Sequence, residues 1–222
     1  MFYLSKKLLH LIDEKGNLPS YNSQHVKKSI HEAEAIARRM LGCTLKVRGK
    51  KFILTNLELY YGSAGDLASD WYRSNFPNRN AKKVSRVSSE IQFEEGLRIY
   101  LNQKGESNYK RMDLVIGPRN VAISLLLRGA VDETGKRVCS RLGNPNKLLK
   151  AMGIVDADHG RSFKKSGDLV FLDTHDQYVK DSSQILTNLR VIGGKATGFQ
   201  NTQFGQSLWN FSIILTKPHL DK

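Results

Sequence analysis

The sequence predicts one mixed α+β domain, and three observations carry that prediction. Helical and strand-like hydrophobic patterns both occur: apolar residues at three- and four-residue spacing run from 22 to 42, and short β-prone runs bounded by Gly, Pro and Asn fill much of the chain beyond them. At 222 residues the chain is long enough to bury one substantial core. No Pro/Ser linker, low-complexity tract, repeat or break in composition divides it, so 1–222 is read as a single domain whose residues 1–21 form an N-terminal helical extension.

Leu4, Leu8, Leu11 and Ile12 lie at helical spacing, and Gly16 stops that segment. A longer helix is expected over 22–42, with Val26, Ile30, Ala33, Ala37, Met40 and Leu41 as its apolar stripe, Lys27, Lys28, Arg38 and Arg39 on the polar side, and Gly42 as its C-terminal cap. Residues 44–48 and 52–61 read as a hairpin around Gly49-Lys50-Lys51. Further strands are expected over 96–101, 114–116, 168–173, 189–192 and 207–215, with Gly193-Gly194 as a turn. The run 121–128 is apolar nearly throughout, as a strand buried on both faces requires, and Arg128 is expected at its end. A guanidinium there calls for a carboxylate or phosphate partner, either as a structural ion pair or as a site residue. Asn144 followed by Pro145 opens a short helix that Gly153 stops, since Asn caps well and Pro suits the first turn.

The formal charge of +14 predicts attraction to a polyanion, most simply nucleic acid. A membrane is the competing polyanion, but no apolar run reaches spanning length, and residues 1–16 mix Lys6, Lys7, Asp13 and Glu14 into their leucines rather than forming a signal-peptide core. The expected protein is soluble, intracellular and monomeric, placed in the cytoplasm or in the nucleoid or nucleus. Between 71 and 98, Trp71, Tyr72, Arg73, Arg79, Lys82, Lys83 and Arg86 interleave aromatics with cations, which suits either a phosphate-tracking surface with stacking groups or a solvated basic loop.

Two cysteines, Cys43 and Cys139, exclude a disulfide scaffold, a zinc ribbon and a four-cysteine cluster. The acidic stretch Asp156-Ala157-Asp158-His159-Gly160 lacks the ligand spacing of a calcium loop and is read as a turn. No metal and no organic cofactor is expected. The phosphate-binding and dinucleotide-binding glycine motifs are absent, and Gly205-Gln206-Ser207-Leu208-Trp209 lacks the second Gly of a nucleophile elbow.

The stretch 52–70 is where chemistry is expected. It starts as a β-prone run and ends at a Gly-rich break, which places Glu58 near the end of a strand between apolar walls. Strict alternation would put Phe52, Leu54, Asn56, Glu58 and Tyr60 on one face. An acid beside an aromatic face suits the activation of water next to a flat ring such as a nucleobase, whereas the plain alternative is a solvated Glu on a hairpin edge.

Six motifs in collinear order, spanning about 33–214, resemble the mammalian-type alkyladenine (3-methyladenine) DNA glycosylase family. Ala37-Arg38-Arg39-Met40-Leu41-Gly42 is similar to that family's helix end. Glu58-Leu59-Tyr60-Tyr61-Gly62 with Asp66 and Ala68 resembles its Glu-Ala-Tyr-x-Gly followed by Asp and Ala. Arg79-Asn80 matches a downstream pair, Ser124-Leu125-Leu126-Leu127-Arg128-Gly129-Ala130 resembles its Val-Leu-Leu-Arg-Ala strand, and Asn144-Pro145-Asn146-Lys147-Leu148 resembles its Gly-Pro-x-Lys-Leu. Leu189-Arg190-Val191-Ile192-Gly193 and the strand from Ser207 to Ser212 are similar to its closing segment.

The resemblance implies an α+β domain built on a curved, mainly antiparallel sheet flanked by helices, like the C-terminal domain of formyltransferases. It implies a monofunctional N-glycosylase of base excision repair acting on duplex or single-stranded DNA, with Glu58 as the general base and Arg128 holding the water or a phosphate. Tyr60, Asp70, Tyr100 and Asn210 would contact the substrate base, and Arg79, Asn80, Lys82, Lys104 and Lys147 the DNA. The chain departs from the family's pattern at two places: Asp70 stands where the base-stacking His is expected, and Lys104-Gly105 where a wedging Tyr-Gly is expected. These departures point to a substrate other than the family's usual alkylated purine, and they motivate the alternative of a catalytically inactive nucleic-acid-binding module on the same fold. The formyltransferase likeness adds RNA as a third partner class.

Overall fold

In a computed structural model, the structure describes residues 24–62, 66, 69, 97–103, 110–117, 122–138, 144–190 and 206–215. The helix expected from Leu4 to Ile12, the basic stretch from Trp71 to Arg86 and the Gly193-Gly194 turn lie outside the described residues. Helix α1 spans Gln24–Met40 and buries Val26, Ile30, Ala33, Ala37 and Met40 against the sheet, the stripe its spacing predicts. Gly42 follows in the left-handed region at φ +77°, and its amide donates to the Leu54 carbonyl at 2.8 Å, which joins the helix end to a strand.

Strands β1 (Thr44–Val47) and β2 (Lys50–Tyr61) form a hairpin with Val47 paired to Lys50. Its two-residue turn is therefore Arg48-Gly49, one residue earlier than expected, with φ of +46° and +89°. Two positive φ values match the twist of the strands. Arg48 holds its strained conformation with its side chain anchored, one amino group donating to both oxygens of the buried Asp158 at 2.7 and 2.9 Å. Asp158 also takes Arg161 at 2.8 Å and the Val155 amide at 2.9 Å, so the Asp156–Asp158 stretch is a 3-10 turn around an ion-pair hub.

The remaining strands are β3 (Arg98–Gln103), β4 (Lys110–Val115), β5 (Ile123–Asp132), β6 (Leu169–Leu172), β7 (Ile185–Asn188) and β8 (Asn210–Ile213). They make one curled antiparallel sheet in the order β3-β4-β5-β2-β1-β6, with β8 on β2 and β7 on β8. The long β2 has two neighbours along one edge: β1 pairs with its first half and β8 with its second. Helix α2 (Pro145–Met152) follows, capped by the Asn144 side chain at the Lys147 amide and closed by Gly153 at φ +72°, as its sequence predicts. A single turn, α3 (His175–Tyr178), lies near the end of α1, where Arg39 pairs with Asp173 and Asp176.

Three expectations are corrected. Leu189-Arg190 is not in a strand; β7 ends at Asn188. Arg128 lies inside β5 rather than at its end, because Gly129 to Asp132 continue the ladder against Phe52–Asn56 of β2. Strict alternation along β2 also fails. Leu54 pairs with Ala130 and Leu57 with Leu127, but between them Asn56 sits opposite Gly129, so both strands carry a matched irregularity. Each strand turns over there. Phe52 and Leu54 face the core before it, and Leu57, Leu59 and Tyr61 after it; on β5, Ala130 and then Leu127, Leu125 and Ile123 do the same. Gly129 permits the close approach, since a Cβ at that position would stand 3.0 Å from Thr55 Oγ1 and 3.1 Å from the Asn56 Cβ.

With the core on one side, the same registers put a polar row on the other. Antiparallel partners share a face, and the partners run Tyr100–Asp113–Leu126–Glu58–Asn210–Asn188 across β3, β4, β5, β2, β8 and β7. Tyr100, Asp113, Leu126, Glu58 and Asn210 are all buried. A carboxylate row at such depth is costly unless its charges are met by partners.

Candidate active site

Glu58 is central to that row and has no exposed surface. The Arg128 Nε stands 2.7 Å from its Oε2, the Tyr60 hydroxyl donates to the same oxygen at 3.0 Å, and the Asn210 amide donates to Oε1 at 3.0 Å. Asn210 is oriented in turn, its Oδ1 accepting from the Asn56 amide at 3.0 Å. Three side chains from three strands, β2, β5 and β8, therefore converge on one carboxylate. The turnover at Asn56 makes this possible, because without it Glu58 and Tyr60 would share a side with Phe52 and Leu54 in the core.

The expected apolar walls are replaced by polar partners, apart from Leu126, which is directly opposite Glu58. The Tyr60 hydroxyl is held well above the ordinary phenol range, by burial first and then by the Glu58 charge, so it remains a donor throughout the neutral and mildly alkaline range. Tyr60 is nevertheless partly exposed, and it is the member of the cluster nearest the Gly62 break.

Behind Tyr60 lies a second ion pair. The Arg190 guanidinium donates to both Asp66 oxygens, at 2.7 and 3.0 Å, and to the Leu59 carbonyl at 3.0 Å. Its carbon lies 4.9 Å from the Tyr60 ring centroid and 5.0 Å from that of Trp209. Asp66 also accepts from the Tyr61 amide at 3.1 Å, tying the segment after β2 back to the strand end. Burial alone would lower the Arg190 pKa, but the Asp66 carboxylate raises it above its ordinary value, so the guanidinium is charged. Trp209 donates from its indole to Glu34 at 2.7 Å, which ties the start of β8 to α1.

Of the expected site residues, Glu58, Arg128, Tyr60 and Asn210 are brought together. Tyr100 is on the same face but three strands away from Glu58, its ring centroid 5.5 Å from that of His159. Lys147 is exposed in the first turn of α2, outside the strands that carry the cluster. Asp70, Arg79, Asn80, Lys82 and Lys104 lie outside the described residues. Arg190 and Trp209 were not expected at the site. The signal for Arg190 is the one that singled out Arg128, an Arg set among apolar residues at a strand margin, and Asp66 is present in the motif after Glu58.

His159 accepts from the Leu101 amide through Nδ1 at 3.1 Å, and it borders an open cleft of about 580 Å³ lined also by Arg98, Arg161, Lys164 and Asp168. Among the described residues no group of His, Cys, Asp and Glu side chains is placed to hold a metal ion, and no helix is long and apolar enough to cross a membrane. No family model matches the chain, and no curated protein matches it.

Proposed function

We propose that the chain is a DNA glycosylase that hydrolyses the N-glycosidic bond of a modified base, with Glu58 as the general base. The observation that carries this reading is the convergence of Arg128, Tyr60 and Asn210 on one fully buried carboxylate beside a partly exposed aromatic ring. Arg128 and Tyr60 both engage Oε2, which fixes the carboxylate plane. The water is assigned to the Oε1 side, beside Asn210. Glu58 takes the proton from that water as its oxygen bonds to the sugar C1′, and the C1′–N bond breaks with its electron pair leaving on the base. Positive charge developing on the sugar is opposed by the carboxylate, within a site whose dipoles are already oriented.

The extruded base is placed against the open part of Tyr60, one pleat repeat of about 7 Å along β2 from Glu58. Stacking of that kind is worth about 1–3 kcal/mol per base. The formal charge of +14 supplies the attraction to DNA. The six-motif resemblance to alkyladenine DNA glycosylases supports the same reaction class, with base excision repair as its setting.

A second reading is a nucleic-acid-binding module without chemistry, and one observation favours it: a fully buried carboxylate with a guanidinium at 2.7 Å is also the geometry of a structural ion pair. Mass spectrometry of free bases released from a panel of modified DNAs, run with the unsubstituted protein and with Glu58→Gln, separates the two. Release that depends on Glu58 supports the glycosylase. Release that survives Glu58→Gln removes the mechanism, and binding without release supports the module.

A further inference from the structure

An aromatic ring offers two faces to a stacking partner, and Tyr60 has one of them covered. The Arg190 guanidinium lies against it at 4.9 Å, and the Arg190 side chain is itself 1% exposed, so the part of Tyr60 that solvent reaches is the part Arg190 does not cover. The guanidinium is held there from three directions, by Asp66, by the Leu59 carbonyl and by the Trp209 ring. It is a fixed part of the wall behind whatever stacks on the uncovered part of the ring.

A cation on one face of a ring draws on the same negative π density that would attract a second cation to the other face. The part of the Tyr60 ring that Arg190 leaves uncovered is thereby a poorer seat for a positively charged ring than an unbacked tyrosine would be. The two carboxylates that contact Tyr60 or back it bring no unbalanced negative charge in compensation, because Glu58 is met by Arg128 and Asp66 by Arg190. A purine alkylated at N3 or N7 carries a formal positive charge in DNA, whereas hypoxanthine, the deaminated form of adenine, is neutral and keeps a full stacking surface.

Resting on the glycosylase reading for the placement of an extruded base against Tyr60, we propose that the site selects a neutral modified base and that the buried Asp66–Arg190 pair discriminates against positively charged ones. Arg190 acts through the Tyr60 ring and touches no substrate, so it is a positioning residue that sets specificity.

The test uses duplex oligonucleotides with one 2′-fluoro nucleotide, which resists glycosidic cleavage and lets affinity be read apart from chemistry. One carries neutral hypoxanthine, one carries cationic 7-methylguanine, and one is unmodified. They are titrated against the full chain and against the paired variant Asp66→Asn with Arg190→Gln, which removes both buried charges and leaves neither orphaned. The full chain is expected to bind the hypoxanthine duplex more tightly than the other two, and the paired variant to narrow the neutral-over-cationic ratio by about fivefold. Equal or tighter binding of the 7-methylguanine duplex by the full chain overturns the proposal, and that comparison stands even where the paired variant fails to fold. A ratio unmoved in a folded paired variant overturns it as well. Base release from the unfluorinated duplexes is scored separately. No release alongside a neutral preference in binding removes the glycosylase reading and upholds this one, while release alongside tighter binding of the cationic duplex does the reverse.

Discussion

Asn210 and Glu58 are direct partners across the β2–β8 ladder, and the Asn210 amide donates to Glu58 Oε1 at 3.0 Å although 152 residues of chain separate them. That contact depends on β8 pairing with only the second half of β2, beyond the point where β1 ends. The site is thus built where two strands share one edge of a third.

Glu58→Gln keeps the shape of the side chain and its acceptor for Asn210 but removes the carboxylate. On the proposed function, base release is expected to fall by about 10²–10⁴-fold, the range for loss of a positioned general base, with DNA affinity changed by no more than about threefold. Single-turnover release and a titration of the same lesion DNA check both, and a thermal melt confirms that the variant folds.

Arg128→Met leaves the fully buried Glu58 carboxylate without its guanidinium. The expected loss is about 3–5 kcal/mol of folding stability by denaturant unfolding. Combining it with Glu58→Gln should recover part of that loss, because the orphaned charge is then gone as well; a strictly additive double variant would argue against coupling between the two residues.

Gly129→Ala brings a methyl group to within 3.0 Å of Thr55 Oγ1 and 3.1 Å of the Asn56 Cβ. Overpacking at the matched irregularity is expected to cost about 1–3 kcal/mol. Adding Thr55→Ala should relieve part of it. If Gly129→Ala leaves the urea midpoint unchanged, the close approach of β2 and β5 is softer than these distances imply.

Asp158 gives a pH dependence with a defined sign. Burial by itself would raise its pKa, but the Arg48 guanidinium, the Val155 amide and the Arg161 guanidinium together hold the carboxyl below its ordinary value. A carboxyl whose pKa is lower folded than unfolded adds stability above its unfolded value of about 4, and that stability is lost as pH falls through the folded value. Asp158→Asn should therefore lower stability at pH 7 and flatten the acid limb of a stability-against-pH curve, the two proteins converging at the acid extreme.

On the proposed function, salt should weaken DNA binding steeply, with log K falling linearly in log salt. Lys147 is exposed at the start of α2, where the helix terminus also favours an anion. If it contacts one phosphate, Lys147→Ala should reduce that slope by about 0.9 without changing which base is preferred. An unchanged slope would place the DNA elsewhere on the surface.

Several elements were legible in the sequence because their signals are local. The apolar stripe of α1, the cap and stop of α2 at Asn144 and Gly153, and the continuous apolar run of β5 each lie within a few turns or one strand. Glu58 and Tyr60 could be put on one side of β2 for the same reason, being two residues apart on a strand. Boundaries were less legible: the β1–β2 turn came one residue early, and β5 continued four residues past Arg128, because strand ends are set by whichever neighbour continues to pair.

Residue identity and spacing disclose the chemistry available: a basic chain, a strand-borne acid with a tyrosine two residues on, and arginines set among apolar runs. Tertiary structure alone decided how those groups meet. Local spacing cannot report that β2 and β5 turn over together at Asn56 and Gly129, and that turnover puts Glu58 on the polar face rather than in the core. Nor can it report that Arg190 crosses 124 positions to bind Asp66 and lie behind Tyr60. The reason is physical: a buried charge must find its opposite wherever the packed chain brings one, and ladder register and sheet curl place it, while periodicity is blind to both.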